Sequence, residues 1–175
     1  MNEIVKSIVE RRSVRKYSDK MPSKELINEV IKCGLYAPSG RNFQGVKIIA
    51  VTNKEKRDEI SELNRTIGGW AEGFDPFYGA PAMLIVIADK TRPTCIYDGS
   101  LVMGSLMLGA HSLGLGSCWI HRAKEEFESQ WGKDFLSSLG IEGDWEGIGH
   151  CALGFAEGSA APAPERKPDR VYWTD

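Results

Sequence analysis

A segment without any charged side chain, from Gly99 to Ile120, constrains the fold of this chain more than any other feature. It is long enough to cross a bilayer, but glycines at every fifth position, several serines and a histidine interrupt it. Its last part, from Gly114, is typical of a turn that leads into a strand. We therefore predict a buried helix from about Ile96 to Leu113 in a protein that does not span a membrane. The regular glycines indicate that other backbones approach this helix closely, as they would at a subunit interface.

Length and charge narrow the range of functions. The chain has 175 residues, which fits a single domain over residues 1–175. Its formal net charge of −2 gives no reason to expect nucleic acid or an anionic membrane as a partner. Glu3, Lys6 and Glu10 leave no room for the apolar core of a signal peptide.

The cysteines and histidines predict no metal site. Four cysteines and three histidines are scattered along the chain without the spacing of metal ligands. Cys33, Cys118 and Cys151 lie within or beside apolar stretches, so we expect them to be buried free thiols. Free thiols in turn indicate a reducing compartment, and we expect the protein in the cytoplasm.

Hydrophobic periodicity predicts alternating helices and strands, and therefore an α/β or α+β class. Helices are expected at 3–12, 54–63, 96–113, 125–131 and 133–139, with one more from an N-cap at Ser23 to an end at Gly34. Strands are expected at 46–52, 83–88, 117–120 and 149–155. Residues 64–81 are predicted to form a loop, and residues 158–175 an extended arm.

Two polar segments could bind a ligand. Arg11-Arg12-Ser13-Val14-Arg15 offers guanidinium groups that match phosphate oxygens, although cations at this place would also complement the end of the first helix. Asn42 and Gln44 carry amides suited to the edge of a heterocycle or to a sugar-like chain, although residues 37–44 also have the composition of an ordinary turn.

Two further segments are open to two interpretations. The glycines of Gly114–His121 would let the backbone approach a flat ligand, and His121 is either a general acid or a structural residue. Arg166 and Lys167, between two prolines, either complete a phosphate site or belong to an exposed tail. The chain has no dinucleotide-binding glycine motif, phosphate loop, nucleophile elbow or zinc motif, so a bound cofactor is expected to supply the chemistry.

In combination and in order, these segments resemble the nitroreductase family of flavoenzymes. The resemblance rests on segments at 11–17, 37–44, 83–88, 98–120 and 153–155, and on Arg166-Lys167-Pro168 in the arm. One departure concerns Gly45-Val46, where many family members have Pro-Trp after the Asn-x-Gln motif. This departure puts the local shape of the loop in doubt, and the region 64–81 matches the family only loosely.

The resemblance implies a fold and a cofactor site. The fold is α+β, with three layers in which helices flank a central, mostly antiparallel sheet, and two chains form an intertwined homodimer that binds one FMN at each end of the interface. Residues expected to hold the FMN phosphate, ribityl chain and ring edge are Arg11, Arg12, Ser13 and Arg15, joined at the phosphate by Arg166 and Lys167. Residues expected to reach the flavin from the partner subunit are Pro38, Ser39, Asn42 and Gln44. Backbone groups expected beside the flavin N5 and O4 are those of Trp119, Ile120, His121 and Arg122.

The resemblance also implies an activity. NAD(P)H would deliver hydride to flavin N5 and leave, and a nitroaromatic, quinone or related acceptor would then take it, in a ping-pong cycle without a catalytic side chain. Arg15 is the candidate for a positive charge near the N1–C2 edge of the ring. Candidates for an aromatic cover, or alternatively for ordinary core and loop anchors, are Phe43, Trp70, Phe74, Phe77 and Tyr78. Two alternatives stay open: an FMN carrier or redox sensor with little turnover, and a relative that removes halogens or degrades flavin.

Overall fold

The computed structural model describes residues 1–158 and 162–174. The helices are α1 (Glu3–Glu10), α2 (Lys24–Leu35), α3 (Lys54–Gly68), α4 (Cys95–Ser112), α5 (Ala123–Glu128) and α6 (Gln130–Ser138), with a short 3-10 helix at Gly40–Asn42. The strands are β1 (Val46–Val51), β2 (Ala82–Asp89), β3 (Gly116–Ile120) and β4 (Trp145–Gly154).

The four strands form one antiparallel sheet in the order β1-β2-β4-β3. Strand β2 lies inside the sheet and is buried from Ala82 to Ala88, which explains its uninterrupted apolar sequence. Strands β1 and β3 form the two edges. Because every strand pair is antiparallel, the class is α+β rather than α/β.

Helices cover both faces of the sheet and give three layers. On one face, Ile85 of β2 packs in a cluster with Ile60 of α3 and Phe127 of α5. On the other face, its neighbour Leu84 packs with residues of α2 and α4 such as Val30 and Leu106. Successive strand residues point to opposite faces, so β2 supplies side chains to both cores. The α+β, three-layer prediction is confirmed.

The predicted start of α2 is confirmed, but its predicted end is wrong. The Ser23 hydroxyl accepts a hydrogen bond from the Leu26 N–H at 3.2 Å, as an N-cap does. Gly34 was expected to end this helix, but α2 continues to Leu35. A Cβ atom on Gly34 would lie 2.7 Å from the Leu106 side chain, so this glycine lets α2 approach α4 closely.

Helix α3 and strand β4 are longer than predicted. Helix α3 extends to Gly68 and ends where Gly69 adopts a left-handed φ of 70°. Asn64, which was expected in a loop, is therefore a buried helical residue. Strand β4 begins at Trp145, because its early glycines accommodate neighbouring groups: a Cβ on Gly147 would lie 2.1 Å from the Ala123 carbonyl oxygen.

The helix predicted from the charge-free segment is α4, but it is buried on one side only, since Tyr97 and Leu101 are 72% and 48% exposed. Within the described residues, no helix has both the length and the apolar character needed to cross a membrane. Close packing inside the chain explains two of its glycines, since a Cβ would lie 2.4 Å from Ile148 at Gly99 and 2.7 Å from Cys33 at Gly109. Gly104, in contrast, faces open space. Packing within one chain therefore explains only part of the glycine pattern.

Two of the three cysteines predicted to be buried are buried. These are Cys118 and Cys151, whereas Cys33 is exposed, although it packs beside Gly109 of α4. The prediction of burial is therefore wrong for Cys33. The described part of the arm, 162–174, is exposed and has no helix or strand, while 159–161 and 175 lie outside the described residues.

Candidate functional site

The basic segment after α1 lies along the edge strand β3. Ser13 forms a parallel bridge with Ser117, and the Val14 N–H donates to the Ser117 carbonyl at 3.0 Å. Further along, the Tyr17 hydroxyl donates to the Val14 carbonyl at 2.9 Å, which closes the segment onto itself. The sequence thus places Arg11, Arg12 and Arg15 at one edge of the sheet.

Two arginines of this segment retain unused donors. Arg12 Nη1 donates to the carbonyls of Val9 and Arg11, at 2.7 Å each, so it does complement the end of α1. However, Arg12 Nε and Arg11 Nη1 are buried and lack a hydrogen-bond partner within the described residues. A buried donor without a partner costs about 1–3 kcal/mol, and more when it is charged. An anion bound here would satisfy both guanidinium groups.

The outer edge of β3 is open beyond Ser117. The Ser117 carbonyl accepts a hydrogen bond from Val14 on this edge. Backbone groups of successive strand residues point to alternate sides, so the N–H and carbonyl of Trp119, two residues later, point to the same edge as those of Ser117. Within 1–158 and 162–174, no strand pairs there. The buried Ser117 Oγ and Trp119 Nε1 also lack partners among these residues, but the Trp119 indole lies over Gly149 of β4, where a Cβ would come within 2.2 Å of Nε1, and so does not face the open edge. This edge offers backbone groups to a polar, planar ligand.

The glycines before β3 act differently from the prediction. A Cβ on Gly116 would lie 2.9 Å from Val14, so this glycine makes room for the basic segment rather than for a ligand. Gly114 has a φ of 76° and forms the turn after α4.

The turn that follows β3 is exposed. It comprises His121 and Arg122, and Arg122 has a left-handed φ of 83°. The His121 carbonyl accepts from the Asn64 side chain at 2.7 Å. Sequence reasoning missed Asn64, since the only available signal was its position four residues after Ile60 on one helical face.

The loop 38–44 lies at the opposite edge of the sheet. It leads into β1, and the Gly40 N–H donates to Asp98 at the start of α4 at 3.0 Å. Three strand spacings, about 14 Å, separate the two edges. The structure therefore does not bring Pro38, Ser39, Asn42 and Gln44 together with Arg11–Arg15 within one chain.

This loop nevertheless has a defined shape. The Gln44 N–H donates to Ser39 Oγ at 3.0 Å, and Gln44 Nε2 donates to Asn42 Oδ1 at 3.1 Å. Arg41, Asn42 and Gln44 all have positive φ values, of 51°, 56° and 52°. Such values are uncommon outside glycine and cluster at functional sites.

The structure does not place Arg166 and Lys167 with the basic segment. Both are exposed in the arm. The hydrogen bond found in the described arm stays within it, from the Tyr172 hydroxyl to the Asp169 carbonyl at 3.0 Å.

Of the five aromatic candidates, three form a row beside Arg15. The ring centroids of Trp70 and Phe74 are 5.6 Å apart, and those of Phe74 and Tyr78 are 6.1 Å apart. The Arg15 guanidinium lies 5.9 Å from the Tyr78 ring. In contrast, Phe77 is a core residue, as the alternative interpretation held, and Phe43 lies under Arg92 on the β1 side.

A half-buried carboxylate, that of Asp75, anchors the loop that carries this aromatic row. Asp75 accepts hydrogen bonds from Ser61 at 2.8 Å, from the Gly79 N–H at 2.7 Å and from Arg57. Burial raises the pKa of Asp75, but these hydrogen bonds outweigh it and hold the pKa below its usual value. The loop is therefore anchored as long as Asp75 is ionised.

Comparison with known proteins agrees with this architecture. The model of the Nitroreductase family matches residues 8–68 and 69–155. A solved nitroreductase with bound FMN from Bacteroides fragilis superimposes with a TM-score of 0.91 and 27% identity, over 100% of both chains. A nitroreductase with bound FMN from Desulfitobacterium hafniense gives a TM-score of 0.89 at 28% identity, again over 100% of both chains.

Curated relatives add functional names. A putative NADH dehydrogenase/NAD(P)H nitroreductase of Archaeoglobus fulgidus is 34% identical over 125 residues, which cover 69% of this chain and 68% of the relative. An FMN reductase [NAD(P)H] of Bacillus subtilis is 30% identical over 141 residues, which cover 67% of this chain but only 53% of that relative. The chain thus spans about half the length of some curated relatives. Family model, relatives and fold agree, and the chain belongs to the nitroreductase family.

Proposed function

We propose that this protein is an FMN-dependent oxidoreductase that uses NAD(P)H to reduce small aromatic or quinone-like acceptors. The observation that carries the proposal is a pair of arginine donors beside the open edge of β3 that find no partner among the residues described. Two of the similar structures contain FMN, and the curated relatives are named for FMN reduction or NAD(P)H nitroreduction.

The residues at this edge fit FMN. The buried donors of Arg11 and Arg12, which have no partner within the described residues, suit the FMN phosphate, and Ser13 lies beside them. We propose that Arg166 and Lys167, in the exposed C-terminal arm, also bind this phosphate. The open backbone edge at Trp119 and the turn of His121 and Arg122 suit the donors and acceptors along one side of the flavin ring, whereas the backbone groups of Ile120 face β4. Arg15 supplies a positive charge for the ring edge next to it, and Tyr78 supports the Arg15 guanidinium.

We propose that the site is completed by a second copy of the chain. The loop with Pro38, Ser39, Asn42 and Gln44 lies at the far edge of the sheet, so it reaches the flavin only from a partner. An apolar surface is available for such a dimer: Ile4 and Ile8 of α1 are 68% and 57% exposed, and Tyr97 and Leu101 of α4 are 72% and 48% exposed. Gly104, which faces open space, lies on the same helix.

Bound FMN would supply a two-electron carrier that accepts hydride from NAD(P)H and passes it to the acceptor in a ping-pong cycle. The protein's own part is to hold and orient the ring and to place fixed positive charge near it. The aromatic row of Trp70, Phe74 and Tyr78 offers faces on which a planar acceptor would stack. No side chain is assigned as an acid or base, since water reaches this exposed edge.

Domain organisation and location are further parts of the proposal. We propose one FMN-binding domain over residues 1–175. A reducing compartment such as the cytoplasm suits the four free cysteines, two of which are buried.

A visible absorption spectrum of the purified protein tests the proposal. We expect a yellow protein that releases about one FMN per chain on heating, in line with one site for each copy in a closed dimer. NADH or NADPH should bleach the flavin rapidly, and a quinone should restore its colour. A colourless protein that fails to bind added FMN would contradict the proposal, and bound flavin that both nucleotides reduce only sluggishly would favour a carrier or sensor.

A further inference from the structure

We propose that Asn64, Glu126 and His150 form a positioning cluster that holds the turn after β3 in its flavin-binding conformation. The three residues come from α3, α5 and β4, and all three are 0% exposed. The inference rests on the proposed function, because it concerns the backbone expected beside the flavin ring.

The cluster is linked by short polar contacts. Asn64 Nδ2 lies 2.7 Å from Glu126 Oε1 and 2.7 Å from the His121 carbonyl, so one amide group donates to both. The second carboxylate oxygen of Glu126 lies 2.8 Å from His150 Nε2. A chain of contacts therefore runs from the interior of the sheet to the exposed turn.

The burial of this cluster is costly. Taking a carboxylate and an imidazole out of water costs several kcal/mol for each charged form unless partners compensate. Compensation is incomplete, since four polar atoms of the cluster have no hydrogen-bond partner within the described residues: Asn64 Oδ1, Glu126 Oε2, His150 Nδ1 and His150 Nε2. Glu126 Oε2 and His150 Nε2 are close to each other, but their contact does not have hydrogen-bond geometry. Apolar side chains of similar size would fill this core at a lower cost, so the polar groups point to a role beyond packing.

Two successive carbonyl groups of the turn are held. The Asn64 side chain donates to the His121 carbonyl, and the Arg122 carbonyl accepts the first backbone hydrogen bond of α5, from the Glu126 N–H at 3.0 Å. Arg122 has a φ of 83°, a left-handed conformation that a non-glycine residue keeps only where the surroundings impose it. Within the residues described, no protein acceptor takes the N–H of His121 or of Arg122. The turn is thus held from the protein side while its donors stay available to a ligand.

His150 extends this support to the sheet. It is paired with Ile120, the last residue of β3, and its ring packs edge-on against Phe77 with centroids 5.2 Å apart. The position of Glu126 is therefore set by the register between β3 and β4. A displacement of any member would move the turn relative to the edge where Arg11 and Arg12 lie.

The test compares Asn64→Leu, Glu126→Gln and a packing control, Val30→Ala, in the core on the other face of the sheet. Asn64→Leu keeps the branched shape and the number of non-hydrogen atoms, and removes both hydrogen bonds. Glu126→Gln keeps an oxygen for Asn64 and offers an amide to His150. Val30→Ala lowers stability by an apolar cavity far from the turn.

Two readouts are needed. The first is hydrogen–deuterium exchange of a peptide covering residues 119–125 in cofactor-free protein. The second is the dissociation constant of added FMN together with the visible spectrum of the complex. We expect Asn64→Leu to speed exchange in this peptide at least about tenfold, to weaken FMN binding about tenfold and to shift the flavin absorption band, as loss of one to two hydrogen bonds would. Glu126→Gln should stay within about threefold of the wild type, and Val30→Ala should leave the band unchanged.

The outcomes separate the two proposals. If the wild type binds FMN and Asn64→Leu binds it equally well with an unchanged spectrum, the positioning role is wrong while the proposed function stands. A response of Glu126→Gln larger than that of Asn64→Leu would also overturn it, because charge rather than hydrogen bonding would then matter. If the wild type does not bind FMN, the proposed function fails, and the flavin role of the cluster fails with it. In that case, unchanged hydrogen–deuterium exchange in Asn64→Leu would also rule out a structural role for the cluster.

Discussion

The two edges of the sheet carry different kinds of polar groups. At the β3 edge the chain supplies cations, two of which have buried donors without a partner in the described part of the chain, and a strand that is open there. At the β1 edge it supplies the neutral amides of Asn42 and Gln44 on a loop whose positive φ values hold it in a defined shape. One edge matches a phosphate and a ring edge, and the other matches the polar rim of a heterocycle.

The separation of the two edges supports the proposal that a second copy of the chain completes the site. About 14 Å of sheet separates the edges. The loop before Val46 also lies at the level of Glu146, about seven residues along β4 from Leu153, which pairs with Ser117. In the proposed dimer, a second copy brings its β1 edge to the first copy's β3 edge. The exposed apolar residues of α1 and α4 supply a surface for that association. Catalytic competence would then depend on assembly, and changes at either edge or at this surface should affect flavin binding to different degrees.

The largest effect is expected at the β3 edge. Replacing Arg12 and Arg15 together by Ala should weaken FMN binding by about 100-fold or more, because each charge-assisted contact contributes about 1.5–3 kcal/mol. The measurement is the flavin content after purification, followed by titration with FMN. The control is the double variant Lys24→Ala/Lys32→Ala, which removes the same amount of positive charge from α2. This variant should retain its flavin. Full flavin retention by the Arg12/Arg15 variant would remove these arginines from the site.

A somewhat smaller effect is expected at the apolar surface. Leu101→Glu places a charge on the exposed face of α4 and should convert a dimer into monomers at micromolar concentration, with loss of most of the flavin. Light scattering after size-exclusion chromatography measures the mass. Leu139→Glu is a matched control, since Leu139 is 47% exposed against 48% for Leu101, but follows α6. A Leu101→Glu protein with the mass and flavin content of the wild type would place the interface elsewhere.

The fold was largely predictable because its signals are local. The apolar run of β2, the Ser23 cap and the charge-free stretch within α4 each follow from neighbouring residues in the sequence. The end of α2 was not predictable, since Gly34 serves a contact with Leu106 on a distant element. The longer β4 likewise depends on glycines that face α5 and Trp119 across the fold.

The candidate site was predictable only in part. Arg11, Arg12 and Ser13 are neighbours in sequence and remain neighbours at the edge of β3. Asn64 lies on a strongly charged helix, and its partners Glu126 and His150 follow at separations that only the tertiary structure brings together. The contacts among Asn64, Glu126 and His150 can be recognised only once the register of β3 and β4 is known.

The smallest effect is expected in the loop beside Arg15. The pKa of Asp75 is lowered in the folded protein, so its carboxylate stabilises the fold above the ordinary pKa, and this contribution disappears as the pH falls through the lowered value. Asp75→Asn should lower the free energy of unfolding by about 1–3 kcal/mol at pH 7, and by progressively less below about pH 4. Urea unfolding at pH 7 and at a pH below about 4 measures the free energy of unfolding, with Asp19→Asn, at an exposed position, as the control. If Asp75→Asn lowers this free energy equally at the two pH values, Asp75 is not ionised in the folded protein. The FMN affinity of Asp75→Asn should change by no more than about threefold.

The central claim is that each FMN site combines residues of two chains. Dimers formed by two differently tagged variants test this claim directly. One chain carries Arg12→Ala/Arg15→Ala, and the other carries Ser39→Glu/Asn42→Glu, so that each alone should be nearly free of FMN. If each site combines the β3 edge of one chain with the β1 loop of the other, the purified heterodimer has one intact site. It should then bind about one FMN, against about two for a wild-type dimer carrying the same tags. A heterodimer as empty as its parents would contradict the account, because both halves of each site would then come from the same chain.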